Sequence, residues 1–374
     1  MSTTAPSTTS LPSATGASSS TALQPPTSPT PDPNVLRSFE MVFTGDVILH
    51  NRVNRLGAEL AIDDETRSWD FRPMLEPIRH LVSNADWAVC QLETTLSADG
   101  TRLSGFPRFR GPGQIADDLA DVGYDACTTA NNHTLDFGVD GVVETLDVLE
   151  ASGLHATGSA RSEAEKVERV WLDLGGVKVA HHAYAYGFNG WRIPPDAPWT
   201  SNTIDEETIL ADAAGSKAAG AEYVVVSLHW GSEDYQPLTS QQSQLGPALI
   251  ASPDIDAIVG HHAHVVQRID LIEGEWLVYG IGNLLSNQPW TNTRDELLVR
   301  LTVTEVEGGG FDSSLELVPL YVDWATLTVF PTDPLLRPDD ISTGLAAEFD
   351  ASRRRLRSVL EAGSAWGSFD WAEG

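Results

Sequence analysis

The chain has 374 residues, enough for one large α/β enzyme domain with tails and a sizeable core. Its 53 Asp and Glu outweigh 23 Lys and Arg, leaving a formal net charge of −30, and the basic groups are 20 Arg and only 3 Lys. A field of that sign repels phosphate backbones and excludes nucleic acid as a general partner, while no apolar run approaches the roughly 18 uncharged residues that a membrane span needs.

Residues 1–36 are dominated by Ser, Thr and Pro and are expected to form a disordered tail, because that composition cannot bury a core. The start shows no basic n-region, apolar stretch, small-residue cleavage site or early Cys, which makes the cytoplasm the expected location. From Phe39 on, FEMVFTGDV, DWAVCQLE and YDACTTA read as strands, and PMLEPIRHLV, QIADDLADV and VETLDVLEAS carry helical spacing. A second set follows: VWLDLGG and VKVAHHAY around a Gly-Gly turn, a helix near 204–219, YVVVSLHW, a helix near 239–251, and DAIVGHH. WLVYGIGN, ELLVRLTVTEV and SLELVPLYV are strand-rich and hairpin-like, and LAAEFDASRRRLRSVLEA predicts a C-terminal helix. The pattern is α/β, with one compact catalytic domain over residues 37–365 and a short tail at 366–374. Cys90 and Cys127 lie in apolar runs and are expected to be reduced core thiols, since two cysteines make no disulfide framework.

Catalytic groups of α/β folds project from loops after the carboxyl ends of strands. Here those ends carry Asp, Glu, Asn and His: Asp46 and His50 after the first strand, Glu93 after the second, Asn131-Asn132-His133 and Asp136 after the third. The second half repeats the habit with His229 and Glu233, with His261-His262-Ala263-His264, and with Asn283. Six of the ten histidines fall at four of these ends, a mixed oxygen and nitrogen set that suits a divalent cation. His262 and His264, two apart in an extended segment, would point the same way and share one ion, with His261 pointing away. His133 and Asp136 could form an oriented imidazole–carboxylate pair, although Asp136 is equally placed to cap the helix that follows. Arg108 and Arg110 in FPRFRGP are the candidate anion clamps, and WRIPPDAPW reads as an aromatic lid or wall favouring a peptide over a bare phosphate.

FTGDVILH, QLETTLS, TTANNHTLDFG, SLHWGSEDY, GHHAHVVQ and YGIGNLLSNQ resemble, in order and spacing, the motifs of the CapA family of poly-gamma-glutamate capsule synthesis proteins, a branch of the calcineurin-like metallophosphoesterase superfamily. The resemblance runs from about Phe39 to about Thr304 and implies a calcineurin-like β-sandwich flanked by helices, with the site at one edge of the sheets. It implies Asp46, Glu93, Asn132, His229, His262 and His264 as metal ligands and His133 as the acid/base beside the metal. His50 could add a second imidazole. Two departures stand out: no His follows Asp46 until position 50, and Glu93 stands where the superfamily usually has a bridging Asp, so a single ion fits at least as well as a dinuclear centre. Imidazole-rich ligation suits Mn, Fe or Zn, the oxygen donors would also accept Ca, and no organic cofactor is implied.

The resemblance implies several functions. The first is a metal-dependent acid/base enzyme acting on a peptide, because similar family members serve lasso-peptide maturation by inversion at a Cα of the precursor. Alternatives are an accessory role in poly-gamma-glutamate capsule synthesis, a metallophosphoesterase, and a non-catalytic binding module. The sequence leaves the oligomeric state open.

Overall fold

The computed structural model of the protein describes Met1 and residues 36–167 and 171–371. The Ser/Thr/Pro segment therefore lies, up to Val35, outside the described residues. In chain order the strands are β1 (Ser38–Val47), β2 (Trp87–Leu92), β3 (Thr95–Ser97), β4 (Arg110–Pro112), β5 (Ala126–Thr128), β6 (His155–Thr157), β7 (Leu172–Leu174), β8 (Val177–Ala185) and β9 (Tyr223–His229). They continue with β10 (Ala257–His261), β11 (Ile269–Ile272), β12 (Glu275–Val278), β13 (Asn283–Leu285), β14 (Asp295–Glu305), β15 (Phe311–Val322), β16 (Val329–Pro331) and β17 (Asp370–Trp371).

All but β3 and β4, which pair with each other, form two large sheets. The first has the order β16-β15-β14-β1-β2-β5-β6, with β13 also pairing β1, and the second has the order β11-β12-β10-β9-β8-β7. Within the first, β1, β2, β5 and β6 run parallel, as do β8, β9, β10 and β12 in the second. Parallel strands covered on both faces need continuous apolar sequence, and FEMVF and YVVVSL supply it: β9 is buried along its whole length. Met41, Phe43 and Val89 of the first sheet meet Val179, Val225 and Val259 of the second in the central core. Helices close the outer faces, where Leu119 and Leu149 pack beneath the first sheet and Ile209 and Leu249 beneath the second.

The helix starts and stops follow local chemistry. Asp205 accepts from the backbone N–H of Thr208 at the start of Glu206–Ala218, and Thr239 with Gln242 makes a capping box for Ser240–Ile250. Gly123, left-handed at φ 114°, ends Gln114–Val122. The segment read as one helix in PMLEPIRHLV is three consecutive short turns, Arg72–Leu75, Glu76–Ile78 and Arg79–Val82.

Two expectations are corrected here. Cys90 and Cys127 are not free thiols: β2 and β5 bring them into direct register, and their sulfurs are bonded. Alternation within each strand gives its burial but not its neighbour, so the pairing was invisible in the sequence. The segment after residue 365 is not a mere tail either. Phe369 is buried, and Asp370–Trp371 adds a parallel strand beside β15, so the chain packs onto the core as far as the described residues reach.

Close approach of strands positions the site. A Cβ on Gly45 would fall 2.2 Å from the carbonyl oxygen of Gly282, and one on Gly260 would fall 2.0 Å from that of Tyr279. Only glycine lets β1 and β10 lie this near their neighbours, one residue before Asp46 and one before His261. Gly45→Ala is expected to cost about 2 kcal/mol by forcing β1 away from Gly282, measured as a lowered urea midpoint with an unchanged slope.

Candidate metal centre

The site gathers at the carboxyl ends of β1, β2, β9 and β10, so both sheets contribute to it. Asp46 lies near the end of β1, Glu93 directly follows β2, His229 ends β9 and His261 ends β10. All are buried, with Asp46 at 0% and Glu93 at 1% exposure. Asp46 Oδ2 accepts from the backbone N–H of His262 at 3.1 Å and lies 3.0 Å from His264 Nδ1, and Asp46 Oδ1 is 3.5 Å from His261 Nδ1. Glu93 sits in the middle: its Oε1 is 3.7 Å from His229 Nε2 and 4.0 Å from His133 Nε2, and its Oε2 is 3.7 Å from His264 Nδ1. Asn132 joins through its Oδ1, 2.9 Å from His229 Nε2.

The six residues expected as ligands, Asp46, Glu93, Asn132, His229, His262 and His264, thus meet in one cluster. The local geometry differs from the expectation, however. His262 and His264 are not in an extended segment; β10 ends at His261, and both follow in left-handed conformations at φ 82° and φ 55°. His261 does not point away from the site. Parallel register sets it beside His229, and it faces Asp46.

The donor set fits a divalent cation. Glu93, His229 and His262 offer ligand atoms within 4.8 Å of one another, as do Asp46, Glu93 and His264, and Glu233, His262 and His264. Asp46 Oδ1, Glu93 Oε2, His229 Nδ1 and His262 Nδ1 are buried without a hydrogen-bond partner, which is costly for polar atoms unless something else coordinates them. Two carboxylates with imidazoles and an amide oxygen suit a divalent cation. Glu233, exposed at the mouth, is the ligand candidate that the expected set omitted, although its place after β9 was the available signal.

Protons partly offset the buried charge. Burial opposes ionisation of Asp46, yet His261 and His264 hold its carboxyl well below the usual range. Burial drives Glu93 well above it, against the pull of His264 and with repulsion from Asp46. Burial works against the charged form of His264 too, but Glu93 and Asp46 push it up to about 9. His229 lies well below its ordinary value through burial and its neighbour His262, and His262 is down at about 3 through burial and repulsion from His264.

Beside this cluster, His133 Nδ1 lies 2.7 Å from Asp136 Oδ2, which also accepts the Phe109 backbone N–H at 2.6 Å. Asp136 makes no cap: the helix Gly138–Ala151 starts without a side-chain bond at its N-terminus. His50 lies across Phe109, whose ring centroid is 5.1 Å from the His50 ring and 4.6 Å from that of His133. The Asn287 backbone N–H donates to His50 Nδ1 at 3.2 Å, and burial, with repulsion from His264, brings His50 down to about 4.

The two arginines part company. Arg108 is exposed at the rim, its Nε donating to the Asp136 carbonyl at 2.9 Å and its guanidinium 5.2 Å from the Trp191 ring. Arg110 is not an anion clamp: it is buried, paired with Glu144 and set over Phe137, so its charge is already spent inside the protein. Two rim residues escaped the sequence reading. Tyr186 lies 4.5 Å from the His262 ring, and Asn189 reaches both Asn132 and His133. The Asn-Gly pair at 189–190, a strong tight-turn signal, could have marked the second.

The fold and site define a class: an α/β sandwich with a buried carboxylate–imidazole cluster, suited to a divalent cation, at the carboxyl edge of its sheets. The profile of the bacterial capsule synthesis protein PGA_cap matches residues 40–288, and the chain belongs to that family. It is 28% identical over 207 residues to the capsule biosynthesis protein CapA of Bacillus anthracis and 29% identical over 219 residues to the PGA biosynthesis protein CapA of Bacillus subtilis. These matches cover 54% and 58% of this chain but only 49% and 56% of the relatives, so the chain spans about half the length of the CapA proteins it matches. A probable polyglutamine synthesis accessory protein of Mycobacterium tuberculosis is 26% identical over 75% of this chain and 76% of its own length. Among solved structures, a 5'-nucleotidase from Staphylococcus aureus is similar at a TM-score of 0.47 and 14% identity, covering 85% of this chain and 58% of that one. The calcineurin-like phosphoesterase YfkN from Bacillus subtilis gives 0.44 and 14%, covering 87% and 99%.

Because His264 is raised to about 9, it holds a proton near neutrality that a cation must displace, and the upward shift of Glu93 acts in the same direction. Binding of Zn2+ or Mn2+ at pH 7 is therefore expected to release about one proton, and affinity to rise with pH up to about 9. Calorimetry in buffers of different ionisation enthalpy measures the release. A proton count of zero would contradict this charge assignment.

Proposed function

We propose that the chain is a divalent-cation-dependent acid/base enzyme acting on an amide-linked substrate, with His133 as the group that moves the proton. The observation that carries this reading is the pair of imidazoles that both pack edge-on against Phe109, with partners of opposite polarity at their Nδ1 atoms. Asp136 accepts from His133 Nδ1–H, which leaves Nε2 of the neutral ring as a base. His50 Nδ1 instead accepts from Asn287, which puts the proton of its neutral ring on Nε2 as a donor.

A cation held by Asp46, Glu93, Asn132, His229, His262 and His264 would polarise a substrate carbonyl and acidify the adjacent Cα–H. His133 Nε2 takes that proton, and the Asp136 carboxylate stabilises the imidazolium formed. Donation of the His50 Nε2–H proton to the opposite face leaves that ring as an imidazolate, and passage of the proton from the His133 imidazolium through solvent restores both neutral rings, so that inversion proceeds with no net proton gained or lost. Inversion at a Cα of a ribosomal, lasso-type precursor peptide is the specific form of this chemistry that we favour.

A second reading, a role in capsule poly-gamma-glutamate synthesis, is supported by the names of the CapA relatives and by the Cys90–Cys127 disulfide. Such bonds persist in oxidising compartments rather than in the cytoplasm. Among the described residues no helix is long and apolar enough to cross a membrane.

Incubation of the purified protein with candidate peptides in D2O, with and without chelator, tests the proposal. Deuterium at one Cα that disappears with chelator is expected, whereas release of phosphate from aryl phosphates without such exchange would overturn it. His133→Ala is expected to lower the exchange rate by about 10²–10⁴-fold with an unchanged unfolding midpoint. Near-wild-type exchange in that variant would remove His133 from the mechanism.

A further inference from the structure

The rim of the site contains a carboxamide of the protein itself. Phe188 and Trp191 are joined by a two-residue turn in which Asn189 and Gly190 both have positive φ, 48° and 85°, and the Trp191 N–H donates to the Phe188 carbonyl at 2.8 Å. This tight turn is anchored by the buried Phe188 and carries the exposed residue Asn189 at its tip. The Asn189 side chain reaches inward: its Nδ2 lies 3.4 Å from His133 Nε2, and its Oδ1 lies 3.5 Å from Asn132 Nδ2.

The polarity of these contacts is set by the chain of partners behind them. Asp136 can only accept, so His133 carries its proton on Nδ1 and offers a lone pair at Nε2, which requires a donor: the Asn189 NH2 group. Asn132 turns its Oδ1 toward His229, so its Nδ2 faces outward as a donor and requires an acceptor: Asn189 Oδ1. A cation on Asn132 Oδ1 would leave this outward polarity the same. The result is a slot offering one acceptor and one donor, filled by one C=O and one N–H of a single amide.

We propose that this slot is the recognition site for a substrate amide, and that Asn189 occupies it as an internal stand-in which the substrate displaces. The inference rests on the reading of an amide-linked substrate at His133 and describes the recognition complex, in which the amide N–H must leave Nε2 before that atom takes the Cα proton. A peptide unit carries the same acceptor and donor as the Asn189 carboxamide, whereas a phosphate monoester dianion offers acceptors only and would oppose the His133 lone pair. Both contacts are long for hydrogen bonds, so the stand-in is weakly held and exchangeable. An internal occupant lowers apparent substrate affinity by the fraction of time it fills the slot, here about fivefold.

Asn189→Gly tests this without disturbing the turn, because glycine accepts the positive φ. The full-length chain with 15N-labelled histidine is observed by NMR, with and without Zn2+, while acetamide or inorganic phosphate is added. The expected result is that N189G moves the His133 Nε2 resonance downfield toward an unbonded nitrogen. Acetamide should reverse the shift and bind N189G about fivefold more tightly than the unaltered protein, with no response to phosphate. An Nε2 resonance unmoved by N189G, equal acetamide affinity for both proteins, or a response to phosphate alone would overturn the proposal. The readout needs no turnover: acetamide binding without deuterium exchange at any Cα would remove inversion and leave amide recognition standing.

Discussion

Two carboxylates buried side by side at the edge of a sandwich are the constraint to which the rest of the structure answers. Asp46 and Glu93 have almost no contact with solvent, and the effective penalty for enclosing an ion is several kcal/mol even after relaxation. Positive charge must therefore be supplied locally. The protein surrounds the pair with His229, His261, His262 and His264, of which His264 is held in its charged form, and the arrangement leaves several ligand atoms without any protein partner. A cation held by Asp46 and Glu93 would resolve the same electrostatic problem by supplying positive charge without a proton on His264.

The scaffold makes that concentration of charge affordable by ending parallel strands of two sheets at the same edge. Asp46 and Glu93 come from one sheet, and His229 and His261 from the other, so the cluster closes only when the sheets pack. Val225 and Val259 bind β9 and β10 to Met41 and Phe43 of the first sheet, and this apolar contact fixes the separation of the ligands. Glycines 45 and 260 act at the same level: with no side chain, they let backbone meet backbone just before the ligands. The left-handed turn at His262 and His264 then folds two imidazoles back over the edge, which a continuing strand could not do.

Around this centre the polar groups are ordered in layers whose hydrogen-bond polarity is consistent throughout. Asp136 orients His133, Asn287 orients His50 oppositely, and both rings pack edge-on against Phe109. Arg108 holds the Asp136 carbonyl and stacks near Trp191, which ties the aromatic rim to the acid/base pair. Asn189 completes the set from the opposite turn. The acidic composition of the chain has a local counterpart here, since Arg110 is paired with Glu144 while Arg108 stays exposed at the rim.

Periodicity and local chemistry were sufficient for the α/β class, for the strands FEMVF, YVVVSL and ELLVRLTVTE, for the capped helices near 206 and 240, and for the strand-end carboxylates and imidazoles. Those features depend on a residue and its near neighbours, which a linear chain states directly. Which strands lie side by side was not written there. The bond between Cys90 and Cys127, the inward turn of His261, the strand at Asp370–Trp371, the burial of Arg110 by Glu144 and the reach of Asn189 to His133 all join segments far apart in sequence or depend on a backbone twist at one residue. Packing decides such contacts, because the free energy that selects a partner strand or a left-handed turn comes from burial and hydrogen bonds that exist only once both sheets are in place.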